Sequence, residues 1–281
     1  IYFHRSGYGP FMGGTIRNPK GWNGKNYSPS LEGVKKPVVC HELGQYCAYP
    51  DYGIINKFTG FMQPGNYKIF FESAKANGIL PYAEQFVKCS GENQLRMYKE
   101  DLEANFRTPE IQGFELLDLH DYLGQGSALV GILDAFWESK GYGDPARFRE
   151  YCGDTVLLAG FPGYVWKNTD KPVIPVEVCH YGKEDIENGV ITWSLEDGAG
   201  KRISGELQAG AIARGGNTRA GEIALDFGPW DRSEKLTFTL SLRDKALTVS
   251  NHYTLHVFAR PEETSAEGQP FLYTRDWREA R

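Results

Sequence analysis

The sequence lacks a long apolar run and a surplus of basic charge, and each absence removes a class of protein. No apolar stretch approaches the roughly 18 residues that a membrane-spanning helix needs. Lysine and arginine (31) are outnumbered by aspartate and glutamate (36), for a net charge of −5. This balance argues against an electrostatic nucleic-acid-binding protein. We therefore expect neither a membrane nor a nucleic acid among the partners.

The sequence also lacks a cysteine pattern. Its five cysteines are odd in number and form no Cys-x-x-Cys pair; they are Cys40, Cys47, Cys89, Cys152 and Cys179. Cys40 and Cys179 lie within apolar, strand-like runs, where a small thiol is an ordinary core residue. No spacing between cysteines fits a zinc site. We therefore predict reduced, structural cysteines, no bound metal and no organic cofactor.

What is present is an average globular composition with many aromatic residues. Of 281 residues, 41% are hydrophobic, 24% are charged and 14% are aromatic. These values exclude wholesale disorder, and the length suffices for one large domain or two ordinary ones. The chain begins at Ile1 and ends at Arg281 inside a patterned stretch, so we expect both ends to be cuts in a longer polypeptide, with any signal peptide upstream.

Before residue 153, short apolar strands alternate with helical stretches. Residues 37–42 and 113–120 are apolar runs that end in polar side chains, and Ile1–Phe3 begins a third. Between the first two runs, i, i+3, i+4 spacing predicts helices around residues 67–74, 80–87 and 95–106. Strand, helices, strand indicates a parallel crossover, and polar groups at the strand ends favour a (β/α)8 TIM barrel. An open doubly wound sheet is the main competitor, but no glycine-rich phosphate loop follows either strand.

The barrel is expected to be partial, because a complete one needs about 250 residues. Residues 1–153 supply only three strand candidates. Residues 154–260 contain strand-like runs alone, and about seven of them in about 100 residues predict an immunoglobulin-like β-sandwich. The runs lie at 164–168, 172–180, 189–196, 202–208, 218–226, 234–243 and 247–259. Residues 261–281 are predicted to be a linker and the start of a further domain. The predicted fold class is thus α/β plus all-β.

Glu42 is the first candidate for chemistry. Strand alternation places Val38, Cys40 and Glu42 on one face and His41 on the other. If the first face points into the barrel, Glu42 lies at its mouth. A carboxylate there can attack an anomeric carbon and form a glycosyl-enzyme intermediate. The alternative is a structural glutamate that caps a loop or pairs with a cation.

A second candidate group follows the strand at 113–120 and comprises Asp118, His120 and Asp121. Polar groups directly after an apolar strand are costly to bury unless they bind a ligand or form a network. They could hydrogen-bond sugar hydroxyls, or form a satisfied structural network; a metal site is a minor alternative. A third candidate is Arg5, on a glycine-rich loop with aromatic residues that could shape a sugar pocket or be ordinary surface.

Two segments together, Lys36–Tyr46 and Gly113–Asp121, resemble glycoside hydrolase family two. The closest likeness is to bacterial sugar-binding members related to β-galactosidases and β-mannosidases. The resemblance implies that Glu42, in a Pro-x-x-x-x-Glu context, is the nucleophile at the end of the seventh barrel strand. It also implies that residues 117–121 form the polar run that ends the eighth strand. His41, Gln45 and Tyr46 of the first segment then become candidates for sugar binding. In that family an immunoglobulin-like sandwich follows the barrel.

The chain departs from the family in two ways. Leu117 stands where the family often has a tryptophan under the sugar. The acid/base glutamate of the family follows an asparagine at the end of the fourth strand, upstream of this chain. A retaining glycosidase needs two carboxylates about 5–5.5 Å apart. The expected partners are therefore a carbohydrate substrate and the missing N-terminal portion of the same protein, and self-association is left open.

The sequence thus predicts the C-terminal part of a retaining β-glycosidase that works by double displacement. A non-catalytic carbohydrate-binding or scaffold protein with a degenerate barrel is the main alternative. A structural piece that folds only with its missing half is another, because an incomplete barrel exposes sheet edges. The sequence does not indicate which sugar is cleaved or in which compartment the protein acts. A periplasmic or secreted location fits polysaccharide-degrading relatives.

Overall fold

The computed structural model describes residues 1–4, 23–123, 127–245 and 247–259. Within these ranges the chain is mixed α/β, with three α-helices and eleven strands. Arg5 lies outside the described residues, and so does the predicted linker at 261–281.

The first sheet contains three parallel strands, as the sequence predicts. They are β1 (Tyr2–His4), β2 (Val38–Leu43) and β3 (Ile111–Leu116), in the order β1-β2-β3. Both pairings are parallel. The connection from β2 to β3 carries helices α1 (Gly65–Ala76) and α2 (Ala83–Phe106), so the predicted strand, helices, strand crossover is confirmed.

Helix α2 spans 24 residues and joins the second and third predicted helical stretches into one. The prediction of separate helices here was wrong. Gly91 lies in its middle, where glycine usually lowers helix stability. The helix nevertheless continues through Gly91, which packs directly against the ring of Tyr142; a Cβ at this position would collide with that ring. This glycine therefore serves close packing rather than a turn.

Two elements that the sequence patterns did not predict follow β3. Helix α3 (Pro145–Tyr151) begins at Asp144, whose Oδ1 accepts a hydrogen bond of 2.8 Å from the backbone N–H of Ala146. Aspartate at the N-cap followed by proline is a recognisable start signal for a helix. Strand β4 (Thr155–Ala159) comes next and is buried along its whole length.

The rest of the described chain consists of strands, and all seven predicted ones are present. They are β5 (Val165–Lys167), β6 (Val173–His180), β7 (Ile186–Asp197), β8 (Arg202–Ile212), β9 (Gly216–Ala224), β10 (Glu234–Asp244) and β11 (Leu247–Phe258). One sheet has the order β5-β11-β10-β7-β8, and the other has the order β4-β6-β9. All pairings are antiparallel except that between β5 and β11.

Residues of both sheets form one hydrophobic core. Along β10, alternate residues are fully buried: Leu236, Phe238, Leu240 and Leu242. The same core takes Leu157 from β4 and Val176 from β6, in the other sheet. Each such side chain contributes roughly 1.5–3 kcal/mol on burial, so the contact between the sheets stabilises this part of the chain strongly.

A second core holds α2 against the parallel sheet. Val38, Cys40 and Leu43 of β2 lie in one buried cluster with Tyr98 and Leu102 of α2. The polar face of α2 turns instead toward the two antiparallel sheets.

On that face, Glu103 is fully buried in a network of charges and hydrogen bonds. Its carboxylate lies 2.6 Å from Lys99 Nζ and 2.7 Å from Arg107 Nη2. Asn251 Nδ2 and the Tyr253 hydroxyl, both on β11, donate to it at 2.8 and 3.0 Å. Burial opposes ionisation, but the two cations hold the pKa of Glu103 below its usual value. The network therefore joins α2 to the larger sheet.

Glu100, beside this network, predicts a dependence of stability on pH. Burial raises its pKa from 4.5 to about 7, with Glu103 as the next cause. Lys99 and Arg107 oppose this shift, as does the hydroxyl of Tyr164, which donates to Glu100 Oε1. The pKa of Glu100 is higher in the folded state than in the unfolded state. The stability that protonated Glu100 contributes is therefore complete below pH 4.5 and is lost as the pH rises through 7.

We expect Glu100→Gln to flatten this dependence. The free energy of unfolding is measured with urea at about pH 5 and about pH 8. Its decrease between the two pH values should be larger in the wild type than in the variant, by on the order of 3 kcal/mol. Equal falls in both proteins would show that Glu100 does not titrate in this range.

Candidate functional site

The parallel strands bring the predicted site residues to one edge of the sheet. Leu43 of β2 pairs with Leu116 of β3, and the backbone N–H of Leu117 donates to Leu43 O at 2.9 Å. Glu42 and Asp118 therefore lie at the carboxyl ends of neighbouring strands. In sheets of parallel strands, this is the end at which active sites form.

Glu42 does not follow the predicted alternation. It has a φ of 55°, and the register between β2 and β3 shifts between Cys40 and Leu43. Because of this bulge, Leu43 joins Val38 and Cys40 in the buried core, while the side chain of Glu42 is 27% exposed. A non-glycine residue held in this left-handed conformation costs about 1–3 kcal/mol, and such strain clusters at functional sites.

The backbone after Glu42 is fixed by close packing. Gly44 has a φ of 90°, and a Cβ at this position would collide with the ring of Tyr98. Tyr98 is itself held, because its hydroxyl donates to Val130 O at 2.8 Å. Helix α2 therefore determines the path of the chain directly after the candidate nucleophile.

Two predicted neighbours contact the carboxylate of Glu42. Gln45 Nε2 donates to Oε2 at 3.1 Å, and His41 Nε2 lies 3.6 Å from Oε1. The other ring nitrogen of His41, Nδ1, is in hydrogen-bond contact with Glu115 of β3. His41 thus lies between two carboxylates, and Glu115 is a member of this site that the sequence analysis does not single out.

Tyr46, a predicted sugar-binding residue, is buried. Its hydroxyl donates to Asp101 Oδ2 at 2.8 Å, and the hydroxyl of Tyr27 donates to Asp101 Oδ1 at 2.6 Å. The structure therefore places Tyr46 in the core between β2 and α2, behind the strand end rather than on its surface.

The group after β3 divides into exposed and buried members. Asp118 Oδ1 lies 3.8 Å from His120 Nδ1, and both side chains are 25% exposed. Asp121 is buried and accepts hydrogen bonds from Lys140 Nζ at 2.6 Å and from the backbone N–H of Gly131 at 3.1 Å. Burial raises the pKa of Asp121 and lowers that of Lys140. Asp121 thus occupies the structural network considered as an alternative, while Asp118 and His120 reach solvent.

Trp137 also belongs to this group, although the sequence analysis does not single it out. Its ring stacks on that of His120, with 4.4 Å between centroids and an angle of 15° between the planes. The available signal was a tryptophan between Asp134 and Glu138, two of the polar residues that follow the predicted strand end.

All five cysteines are free. Within the described ranges, no group of three or more histidine, cysteine, aspartate or glutamate side chains is arranged to hold a metal ion. In the same residues, no helix has both the length and the apolar character needed to cross a membrane.

Comparison with known families gives one match. A family model described as a domain of unknown function (DUF8488) matches residues 170–259, the stretch that contains β6 to β11. No curated protein matches the chain.

Among solved structures, the exo-chitosanase CsxA of Amycolatopsis orientalis is similar at 12% identity and a TM-score of 0.44, over 69% of this chain and 22% of that one. The β-glucuronidase of Parabacteroides merdae is similar at 18% identity and a TM-score of 0.26, over 37% of this chain and 14% of that one. The sporulation control protein Spo0M of Bacillus subtilis is similar at 14% identity and a TM-score of 0.28, over 38% and 51%.

The chain thus spans about half of Spo0M, at 51%, and less than a quarter of each enzyme. Structures similar to this chain include glycoside hydrolases, at low identity and low TM-score. Membership of glycoside hydrolase family two therefore stays a proposal.

Proposed function

We propose that the chain is the C-terminal part of a retaining β-glycosidase. In this proposal, residues 1–153 supply the last strands of a (β/α)8 barrel of family-two type. Residues 154–260 form the immunoglobulin-like sandwich that follows it, and residues 261–281 are a linker and the start of a further domain. The observation that carries the proposal is the position of Glu42, held in a left-handed conformation at the carboxyl end of the central parallel strand. Its two neighbours in contact, His41 and Gln45, would fix the direction of its carboxylate.

The proposed reaction is a double displacement. A carboxylate oxygen of Glu42 bonds to the anomeric carbon as the bond to the leaving oxygen breaks, and a glutamate upstream of this chain protonates that oxygen. Water then bonds to the anomeric carbon, gives its proton to the upstream glutamate and releases Glu42. The two inversions together retain the β configuration.

The sugar would be oriented by the residues that reach solvent around Glu42. Asp118 and His120, which follow the neighbouring strand β3, would accept and donate hydrogen bonds to hydroxyl groups, together with His41. Asp121 and Tyr46 act indirectly in this proposal, because Lys140 and Asp101 already engage their polar atoms inside the protein.

The missing N-terminal portion of the protein is the proposed partner of the parallel sheet. β1 lies at one edge of this sheet; its residues Tyr2 and Phe3 are exposed, and so is Ile1 just before it. An edge strand with exposed apolar side chains is normally covered in a native protein. The remaining barrel strands would cover it and bring the second carboxylate to Glu42.

The proposal is tested by assaying the full-length protein with aryl β-galactosides, β-mannosides and β-glucuronides. We expect release of the aryl alcohol from at least one, and NMR should show the β-anomer of the sugar as the first product. An α-anomer first, or hydrolysis of none of these, would contradict the proposal.

A non-catalytic carbohydrate-binding protein is the second candidate. Asp118 and His120 are both partly exposed, and His120 stacks on Trp137; they would serve sugar binding without any hydrolysis. This candidate predicts sugar binding with no release of aryl alcohol in the same assay.

A further inference from the structure

A cavity of about 670 Å³ lies at the amino ends of the parallel strands, at the opposite end of the sheet from Glu42. Its wall is formed by residues 111–114 of β3, by Cys179 of β6 and by residues 215–217 at the start of β9. It therefore lies between the parallel sheet and one of the antiparallel sheets. A cavity of this size between packed layers is a common position for a small ligand, and it shares no residue with the candidate site.

Two amide oxygens in this wall accept no hydrogen bond from the described residues. Asn105 is 2% exposed and donates from Nδ2 to Asp101 O at 2.8 Å, while its Oδ1 is buried without a partner. Asn217 donates from Nδ2 to Glu177 Oε2, and its Oδ1 is likewise buried and unpartnered. Buried acceptors in native proteins are normally paired, and leaving one unpaired lowers stability. The wall is thus short of hydrogen-bond donors.

The charge of the cavity wall is negative. Among the described residues that line it there is no lysine, arginine or histidine, and Asp154 carries the one carboxylate. This side chain is exposed, and it forms no ion pair within the described ranges. Burial raises the pKa of Cys152 to about 11 and that of Cys179 to about 12, so both thiols in the wall stay neutral at pH 7. The cavity therefore favours a cation over an anion.

Aromatic side chains form much of the remaining wall. Phe106 of α2 and Phe114 of β3 meet edge to face, with 5.6 Å between their centroids, and Tyr181 also lines the cavity while 48% exposed. The electron-rich faces of such rings attract cations, and the rings also accommodate an apolar body. Because a bare metal ion would fill little of this volume and leave the aromatic surface uncovered, the wall suits an organic cation instead.

We propose that this cavity binds a small organic cation that carries a primary ammonium group on an apolar body. An ammonium group brings three N–H donors and no acceptor, which matches two unpartnered amide oxygens and one carboxylate. Asp154 would balance the charge, and the apolar body would lie against Phe106 and Phe114. A neutral polyol would bring further acceptors to a wall that has few donors, and would leave Asp154 unpaired. The site does not depend on Glu42, so ammonium binding and glycoside hydrolysis are independent properties.

The experiment measures the dissociation constant of 2-phenylethylamine, which is protonated at pH 7, for the full-length protein by isothermal titration calorimetry. The matched neutral probe, 2-phenylethanol, should bind at least about tenfold more weakly, because it brings one donor and no charge. Asp154→Asn should weaken binding of the amine by about tenfold and leave binding of the alcohol unchanged.

A pair of glycine substitutions tests the position of the site. A Cβ added at Gly113 or at Gly198 would meet no atom within 4 Å, but Gly113 lines the cavity and Gly198 does not. Gly113→Leu should abolish binding of the amine, whereas Gly198→Leu should leave it unchanged. Urea unfolding checks that both variants fold. If Gly113→Leu is unstable, Asp154→Asn decides, because it alters only an exposed side chain.

Three results would overturn the ammonium site. They are absence of amine binding by the wild type, equal affinity for the amine and the alcohol, and unchanged amine affinity in a folded Gly113→Leu variant. Failure of the proposed function is distinguishable, because it concerns turnover of glycosides. If the amine binds as described while the full-length protein hydrolyses no β-glycoside, the ammonium site stands and the glycosidase does not.

Discussion

Replacing Glu42 with glycine should abolish turnover by the full-length protein and at the same time stabilise its fold. Removal of a nucleophile costs at least about 1,000-fold in turnover. Glycine adopts the φ of 55° at this position without steric cost. We therefore expect the free energy of unfolding to rise by about 1 kcal/mol, the strain of a left-handed glutamate less the added chain entropy of glycine. Aryl-glycoside hydrolysis and urea unfolding measure the two effects.

Two further variants separate the roles of the carboxylate and the backbone. Glu42→Gln should lose turnover to the same extent without the gain in stability, because glutamine keeps the strain. Glu115→Gln removes the other carboxylate in contact with His41 and should leave measurable turnover, since Glu115 is not the proposed nucleophile. Near-normal turnover by Glu42→Gly would refute the nucleophile. A marked loss of stability would instead support the structural role considered for Glu42.

Glu103→Gln should strongly destabilise the fold. The substitution leaves Lys99 and Arg107 buried against a neutral amide, and removal of one partner from a buried charge network costs about 3–5 kcal/mol. It also weakens the hydrogen bonds from Asn251 and Tyr253. Urea unfolding followed by circular dichroism should show a correspondingly lower midpoint.

The matched control is Lys171→Ala, which breaks an ion pair of similar length on the surface. Lys171 Nζ lies 2.7 Å from Asp226 Oδ2, but both side chains are exposed. Pairs of this kind contribute about 0–1 kcal/mol, so the midpoint should barely move. Similar effects of the two substitutions would contradict a dominant contribution of the buried network to stability.

The strands were predictable because their signals are local. Apolar runs such as 37–42 and alternating ones such as 234–243 correspond to β2 and β10. The parallel order also followed, because the spacing leaves room for helices between β2 and β3. Helix α2 shows the limit of such reasoning. The spacing of apolar residues predicts two helices here, whereas one helix runs through Gly91, whose missing side chain leaves room for the ring of Tyr142 far along the chain.

The location of Glu42 and Asp118 at strand ends was predictable from the sequence, but their local geometry was not. Polar side chains after apolar strands correctly indicated that Glu42 and Asp118 end neighbouring strands. The left-handed turn at Glu42 depends on contacts that come later in the sequence, including the contact between Gly44 and Tyr98. Asp121 also differs from Asp118, although the two are close in sequence. Asp121 is buried in an ion pair with Lys140, whereas Asp118 reaches solvent.

The network around Glu103 shows the same limit at longer range. The hydrogen bond from Asn251 to Glu103 joins residues 148 positions apart in the chain. Helical periodicity marks a glutamate in this position only as polar. Its burial follows from the larger sheet packing against α2, and no local pattern records that contact.

The proposed mechanism requires that Glu42 form a covalent bond to the sugar. Its most direct test is to incubate the full-length protein with the activated 2-fluoro derivative of the glycoside that it hydrolyses fastest, and to map the peptides by mass spectrometry. We predict one added fluoro-sugar on the peptide that contains Glu42, and none in Glu42→Gly. Label on a different carboxylate, or hydrolysis with no trapped intermediate, would contradict the role of Glu42 as nucleophile.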